Sequence, residues 1–344
     1  PIQSLPGFQT LHWMRRCALL GSMERIRRVA VLGAGAMGGF LASRFCDAPD
    51  FSTELIAGGR YYERLTRDGL VVNGKEYRPA VVHPDDSGPA ADLIIVALKH
   101  HQLEDGIEAL KNRAGSGTTI ISVMNGLESE RIIGAVYGVE KMLYTISVGI
   151  DAVRDGNRIT YTKPGILYFG ELSNAEPSRK VLRVREAFAE AGVPCEVPED
   201  MKRMLWWKLM INAGINQASA VLRAPYGVFH VSRDARNLME ALMREVIELA
   251  GVVGVNLSEQ DLGKWYGFLM QLSPEGKSSM LQDIEAGRKT EVEIFGGKIC
   301  ELGAEHGVFT PVNRTVLQII KVMEQKHDKG AGRVTRAGEE RMSG

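Results

Sequence analysis

The 344-residue sequence has only four cysteines, at positions 17, 46, 195 and 300. No two are spaced like a zinc or redox pair. The seven histidines include no H-E-x-x-H, so no metal site is expected. Free, packed thiols give the expectation of a cytoplasmic chain. No apolar run approaches the roughly 18 residues that cross a bilayer. Cys17-Ala18-Leu19-Leu20, after Arg15-Arg16, is too short for a signal peptide, and no membrane partner is expected. Net charge is missing as well, since 42 basic and 42 acidic residues cancel. That excludes a protein that coats nucleic acid with positive charge. With 44% hydrophobic and 24% charged residues, a disordered chain is excluded too. Neither an internal repeat nor a low-complexity tract is present.

Glycine is what the chain has in excess: 38 residues, about 11% against a usual 7% or so, with no collagen-like period. Such glycines mark tight turns or close approach of backbone to a ligand. The length suits about two domains. Residues 1–24 read as an N-terminal extension, with Met23 directly before the first strand. Residues 25–199 read as an α/β domain, 200–326 as an all-helical domain and 327–344 as a frayed tail. In the first domain, Arg27-Arg28-Val29-Ala30-Val31-Leu32 is a strand buried on both faces. Further strands are expected at 53–57, 70–72, 92–98, 118–124 and 142–148, extended chain over 161–171 and a helix over 177–191. Strands alternating with helices imply a parallel sheet. Beyond residue 200 the apolar spacing predicts helices over 201–221, 233–253, 258–272, 279–306 and 311–325.

Gly33-Ala34-Gly35-Ala36-Met37-Gly38 follows the first strand and opens a helix, the context that gives G-x-G-x-x-G its meaning. The first glycine permits the turn and the second lets backbone approach a pyrophosphate. The third allows helix and strand to pack closely, and the helix N-terminus favours the anion. The second strand ends Leu55-Ile56-Ala57-Gly58-Gly59-Arg60, without the carboxylate that holds a free ribose 2′-hydroxyl. Arg60, supported by Arg64, suits a 2′-phosphate instead, so NADP is the expected cofactor. Lys99 and Asn125 follow two further strands, in register at the carboxyl edge where such sheets present ligands. His100 and His101 read as bystanders.

In the helical half, Lys208, Asn212 and Asn216 recur at i, i+4 and i+8 in an apolar segment and form one stripe of a helix. Asparagine is a poor mid-helix residue, and a buried polar stripe without a ligand is costly. A polar seam between helices is the bland alternative. Ser279 with Gln282 reads as a capping box, a role compatible with binding a carboxylate at a helix N-terminus. On one continuous helix, Glu291 would stand about 120° around and about 18 Å along from Ser279, so their roles would differ.

Together, Gly33–Gly38, Leu98-Lys99, Asn125-Gly126, the Lys208/Asn212/Asn216 stripe and Ser278-Ser279-Met280-Leu281-Gln282-Asp283 leading to Thr290-Glu291 resemble the ketopantoate reductases (2-dehydropantoate 2-reductases), over residues 27–325. The resemblance implies a Rossmann-type N-terminal domain, an all-helical C-terminal domain and a site in the cleft between them. It implies NADPH-dependent reduction of a small 2-oxo acid, 2-dehydropantoate, in pantothenate biosynthesis. Lys208 would be the general acid, with Asn212, Asn216, Ser279 and Asn125 at the substrate. Lys99, Ala152 and Asn125 would contact the cofactor, and Glu291 the nicotinamide ribose or Lys208. A homodimer is a further expectation. One departure stands out: Tyr226, in Pro225-Tyr226-Gly227, occupies the place of a family asparagine. An aromatic ring there favours a more apolar or aromatic 2-oxo acid, lined by Trp265, Tyr266 and Phe268. The reading from another class is a non-catalytic NADPH-binding sensor, against which the intact Lys208 argues.

Overall fold

The computed structural model describes residues 24–328. The extension through residue 23, with Met23 and Cys17, and the tail from residue 329 lie outside the described residues. Twelve strands are found among the described residues: β1 (Arg28–Leu32), β2 (Ser52–Ile56), β3 (Leu70–Val72), β4 (Lys75–Tyr77), β5 (Ala80–Val82), β6 (Ala91–Val96), β7 (Ala114–Ser122), β8 (Met142–Ile150), β9 (Val153–Asp155), β10 (Arg158–Thr160), β11 (Pro164–Gly170) and β12 (Cys195–Glu196). The large sheet runs β12-β11-β8-β7-β6-β1-β2-β5, and β4-β3-β10-β9 form a small one. From β5 to β8 every pairing is parallel. Counted along the chain within that set, the order is the 3-2-1-4-5-6 of a dinucleotide-binding fold.

The strand interiors explain why the sheet is covered on both faces. In β1, Val29 and Val31 join one apolar cluster while Ala30 and Leu32 join another. In β6, Leu93 and Ile95 divide from Ile94 and Val96 in the same way. Alternate residues of a strand point to opposite faces, so a continuous apolar run needs two covers. The first face is covered by α1 (Ala36–Asp47), α5 (Arg179–Glu190) and the small sheet, through Phe40, Phe45, Phe188 and Ile159. The second is covered by α3 (Leu103–Ile107) and α4 (Ser129–Tyr137), through Leu103, Ile107 and Ile133. The remaining α/β helix is α2 (Gly59–Asp68). The sheet departs from the parallel expectation in two places. β11 runs antiparallel to β8, and β3 leaves the large sheet to pair with β4 and β10.

The second half is helical: α6 (Met201–Ile211), a π-helical segment (Asn212–Asn216), α7 (Gln217–Leu222), α8 (Tyr226–Val231), α9 (Arg233–Val252), α10 (Glu259–Leu269), α11 (Ser279–Glu285), α12 (Gly296–His306) and α13 (Pro311–Asp328). Asp200 starts it by accepting from Arg203 N at 2.8 Å. The apolar stripe of α9, Met239, Leu242, Met243, Val246 and Leu249, is fully buried at helical spacing. Ile146 and Val148 of β8 belong to this same core, so the helical half is packed onto the sheet.

Two long helices expected from the sequence are interrupted. The helix over 201–221 widens into the π segment. There Gly214 lies so close to α9 that a Cβ would meet the Met243 Cε at 2.4 Å. The Gln217 side chain donates to the Ala213 carbonyl at 2.8 Å and to Asn313 Oδ1 at 2.8 Å. The expected helix over 279–306 ends at Glu285. Gly287 turns left-handed, with φ +63°, and Arg288 Nε folds back onto Asp283 Oδ1 at 2.9 Å. Thr290 then donates its N–H and hydroxyl to Glu324 of α13, at 2.7 and 2.6 Å. Glu291 is therefore on a returning loop, and the rise and rotation computed for one continuous helix do not apply. The capping residue of α11 is also corrected. Ser278, not Ser279, accepts from Leu281 N at 3.2 Å, and Gln282 donates to the Lys277 carbonyl.

Candidate active site

Parallel register levels the carboxyl ends of the central strands: Leu32 lies beside Val96, and Val96 beside Ser122. The residues that follow, Gly33, Lys99 and Asn125, therefore stand along one sheet edge. Each glycine of the loop meets a different constraint. Gly33 has φ +96°, and a Cβ on it would meet the Ala97 carbonyl at 2.5 Å. A Cβ on Gly38 would meet the Gly33 carbonyl oxygen at 1.8 Å, so any side chain would force α1 away from the loop. At Gly35 a Cβ would meet no protein atom within 4 Å. Gly35 also precedes α1 without a side-chain cap, leaving the first N–H groups of the helix free of a side-chain acceptor.

The two halves meet in one chain of polar contacts. Asn212 Nδ2 donates to Asn125 Oδ1 at 3.3 Å, and Asn125 Nδ2 donates to Glu291 Oε2 at 3.1 Å. Lys99 Nζ lies 3.5 Å from Glu291 Oε2 and donates to Asp283 Oδ2 at 3.2 Å. Asp283 also holds Arg288. Asn212, Glu291 and Asp283 are buried. Desolvation works against the Lys99 charge, but Glu291 and Asp283 outweigh it and hold the ammonium above the ordinary lysine value. Asp283 was absent from the residues singled out by sequence. Its signal lay within the Ser278–Asp283 run, but its contact is with a lysine 184 positions away.

Lys208 lies one helical turn before Asn212, at the end of α6. It has no carboxylate within ion-pair distance, in contrast to Lys99. Burial pushes its ammonium down to about 8.

The other expected positions are more dispersed. Asn216 is buried at the end of the π segment. The wider turn gives it a different angular position from the one expected on a continuous α-helix. Ser279 is exposed at the first position of α11, while the neighbouring Ser278 hydroxyl is committed to Ser219 at 2.5 Å. Ala152 is half-buried in the turn between β8 and β9. Arg60 is exposed at the start of α2, 5.2 Å from the Tyr61 ring centre. The aromatic set divides: Trp265 is buried and reaches Met239, and Tyr266 donates to Glu240, so both face α9. Phe268 instead packs edge-on against Trp207, with ring centres 5.7 Å apart. The Trp207 indole nitrogen is buried without a hydrogen-bond partner. Tyr226 is held by its backbone N–H on the Gly276 carbonyl at 2.9 Å, beside the segment that leads into α11. Burial pushes its hydroxyl up to about 12.

Comparison with known proteins agrees with this architecture. The family model described as ketopantoate reductase PanE/ApbA matches residues 29–174, and the model of its C-terminal part matches residues 200–324. The chain is 28% identical over 300 residues to the 2-dehydropantoate 2-reductase of Archaeoglobus fulgidus, covering 87% of this chain and 99% of that one. Among solved structures, the 2-dehydropantoate 2-reductase of Geobacter metallireducens superposes with a TM-score of 0.76 at 24% identity, covering 86% of this chain and 99% of that one. A D-mandelate dehydrogenase solved with NADH and anilino(oxo)acetate superposes with a TM-score of 0.79 at 21% identity, covering 88% and 99%. The glycine loop at the head of a 3-2-1-4-5-6 sheet and the helical half packed onto it fall within the two matched segments, and the chain belongs to the ketopantoate reductase family.

Proposed function

We propose that this chain reduces the 2-oxo group of 2-dehydropantoate to the alcohol with NADPH, Lys208 giving the proton. The observation that carries the reading is Lys208 itself. It is a lysine without a carboxylate partner, pushed down to about 8, one turn from an asparagine bonded into the sheet-edge network. The residues present fit a dinucleotide: space at Gly35, uncapped N–H groups on α1, and Lys99 and Asn125 at the same edge. Gly33, Ala34, Gly35, Ala36, Met37 and Gly38 would hold its pyrophosphate, Ala152 and Glu291 its nicotinamide half, and Arg60 a ribose 2′-phosphate. When bound, the nicotinamide supplies hydride to the 2-oxo carbon.

The chain's own residues do the rest. Lys208, protonated at neutral pH, stabilises negative charge developing on the 2-oxo oxygen and then transfers its proton to that oxygen. Asn212 and Asn216 orient the substrate's oxygens, and the exposed Ser279 hydroxyl accepts the task of binding the carboxylate. Glu291 fixes Asn125 and Lys99, so it orients the site without competing for the Lys208 proton.

A second reading is favoured by Tyr226 with Trp207 and Phe268: an aromatic 2-oxo acid in the same site. A steady-state comparison decides between the two. NADPH consumption should be faster, as kcat/KM, with 2-dehydropantoate than with phenylglyoxylate. The reverse order supports the aromatic reading. No turnover across a panel of 2-oxo acids, with NADPH still bound, sinks the enzyme reading and leaves a dinucleotide-binding sensor.

A further inference from the structure

Three arginines converge where β2 ends and α2 begins, and among the described residues none of them has a carboxylate within ion-pair distance, the Asp68 carboxylate feeling the Arg64 charge only from farther away. The guanidinium carbons of Arg60 and Arg64 each lie 5.2 Å from the centre of the Tyr61 ring. The third, Arg154, comes from β9 of the small sheet. Its placement follows from local packing. Gly39 of α1 has no side chain, and a Cβ there would meet Ile159 Cδ1 at 2.1 Å, so β10 lies directly on α1. Arg154 is paired opposite Ile159 across the antiparallel β9–β10 ladder. Directly opposed residues share a face, which turns Arg154 toward α1 and α2.

Two donors in this cluster are buried without any hydrogen-bond partner, Arg64 Nε and Arg154 Nη2. Arg154 Nε is occupied by the Gly156 carbonyl at 2.8 Å. Desolvation and then repulsion from Arg64 push the Arg154 guanidinium below its ordinary value. By contrast Arg67, on the same helix, is paired with both oxygens of Asp68 at 2.7 and 2.9 Å. Guanidiniums without an ion-pair partner, two of them with an unused buried donor, placed at the end of the second strand of a dinucleotide fold, match a planar fork for a phosphate.

We propose that Arg64 and Arg154 complete, with Arg60, a clamp for a phosphate monoester on an adenosine ribose 2′-oxygen, so that the small sheet as well as β2 selects NADPH over NADH. The inference rests on the reading of the glycine loop as a dinucleotide site, and it deepens that reading by adding a residue from a separate sheet.

The test is binding of 2′-AMP against 5′-AMP, titrated calorimetrically on the full chain, which does not depend on any turnover. The unmodified protein should prefer 2′-AMP. Arg64→Gln and Arg154→Gln should each reduce that preference by about tenfold or more, the scale of a charged hydrogen bond. Arg67→Gln should keep it. Arg154→Lys, which retains charge but not the fork, guards against a folding defect and should give a partial loss. The proposal is overturned if the unmodified protein shows no preference, or if neither Gln substitution moves it. Inorganic phosphate competing as well as 2′-AMP also overturns the assignment to a ribose-linked group. Failure of every 2-oxo acid to turn over, with the 2′-AMP preference intact, would remove the reaction and leave the clamp standing.

Discussion

Replacing Lys208 with methionine should produce a protein that is more stable at neutral pH and nearly inactive. Methionine keeps the length and apolar body of the side chain and removes the charge. Burial holds the Lys208 ammonium at about 8, well below the ordinary lysine value near 10.4, a displacement worth roughly 3 kcal/mol if solvent gave no relief. Lys208 is only partly buried, so about 1–2 kcal/mol is the realistic scale. The sign follows from linkage. Below pH 8 the lysine is charged in both folded and unfolded chains, and the folded state bears the whole cost. Between 8 and the ordinary lysine value the folded side chain sheds its proton first, so the unmodified protein gains stability as pH rises. The Lys208→Met advantage should therefore be present at pH 7 and fade toward pH 10. Urea unfolding followed by tryptophan fluorescence, which reports on the neighbouring Trp206 and Trp207, measures it at both pH values. Turnover should fall by about 10²–10⁴-fold, the usual range for loss of a general acid. A Lys208→Met protein no more stable than its parent at pH 7, or equally stabilised at both pH values, would refute the argument that this lysine is held in a desolvated, unpaired state.

Two other predictions separate binding from folding. Gly35→Ala should fold with nearly the parental stability, because its Cβ meets no protein atom within 4 Å, yet lose dinucleotide affinity by an order of magnitude or so. Gly38→Ala, with a Cβ 1.8 Å from the Gly33 carbonyl oxygen, should lose both; thermal unfolding and NADPH fluorescence titration distinguish the two patterns. Glu130 of α4 is buried, its carboxyl accepting from Ser129 Oγ at 2.8 Å, and desolvation pushes it up to about 7. An acid raised on folding contributes stability at low pH that is lost as pH rises through 7. Glu130→Gln should accordingly flatten the decline in stability between pH 5 and 8, by up to about 3 kcal/mol; an unchanged slope in urea midpoints would mean that Glu130 is not the group responsible.

The nearly continuous apolar character of β1 and β6 made the doubly covered sheet readable, because each such strand needs a core on both sides. The glycine loop, Lys99 and Asn125 were readable for a related reason: in parallel strands, whatever follows a strand lands on the same edge. Long-range contacts were not readable. The π segment depends on Gly214 meeting Met243 and on Gln217 reaching Ala213 and Asn313, none of which alters the local apolar period. The break after Glu285 is likewise fixed by Arg288 on Asp283 and Thr290 on Glu324. A periodic pattern therefore ran through both interruptions. Arg154 was invisible for the same reason, since only the β9–β10 pairing and the packing of Ile159 on Gly39 bring it beside Arg64.

Electrostatics sets Lys99 and Lys208 apart. Lys99 touches two carboxylates, which outweigh its desolvation and raise its affinity for the proton. A group held so firmly in its charged form is a poor donor at neutral pH, but it is a rigid strut between sheet edge and helical half. Lys208 has no such partner and holds its proton only to about pH 8, close to where a general acid is most effective. Arg154 shares that condition at the other end of the proposed cofactor path, where burial and a neighbouring arginine disfavour its charge. In each case an anion brought into contact would offset the cost of the desolvated cation, a phosphate at Arg154 and the developing alkoxide at Lys208. On the proposed reading, the same local imbalance would serve selection of the cofactor at one end and proton transfer at the other, within a chain whose total charge is zero.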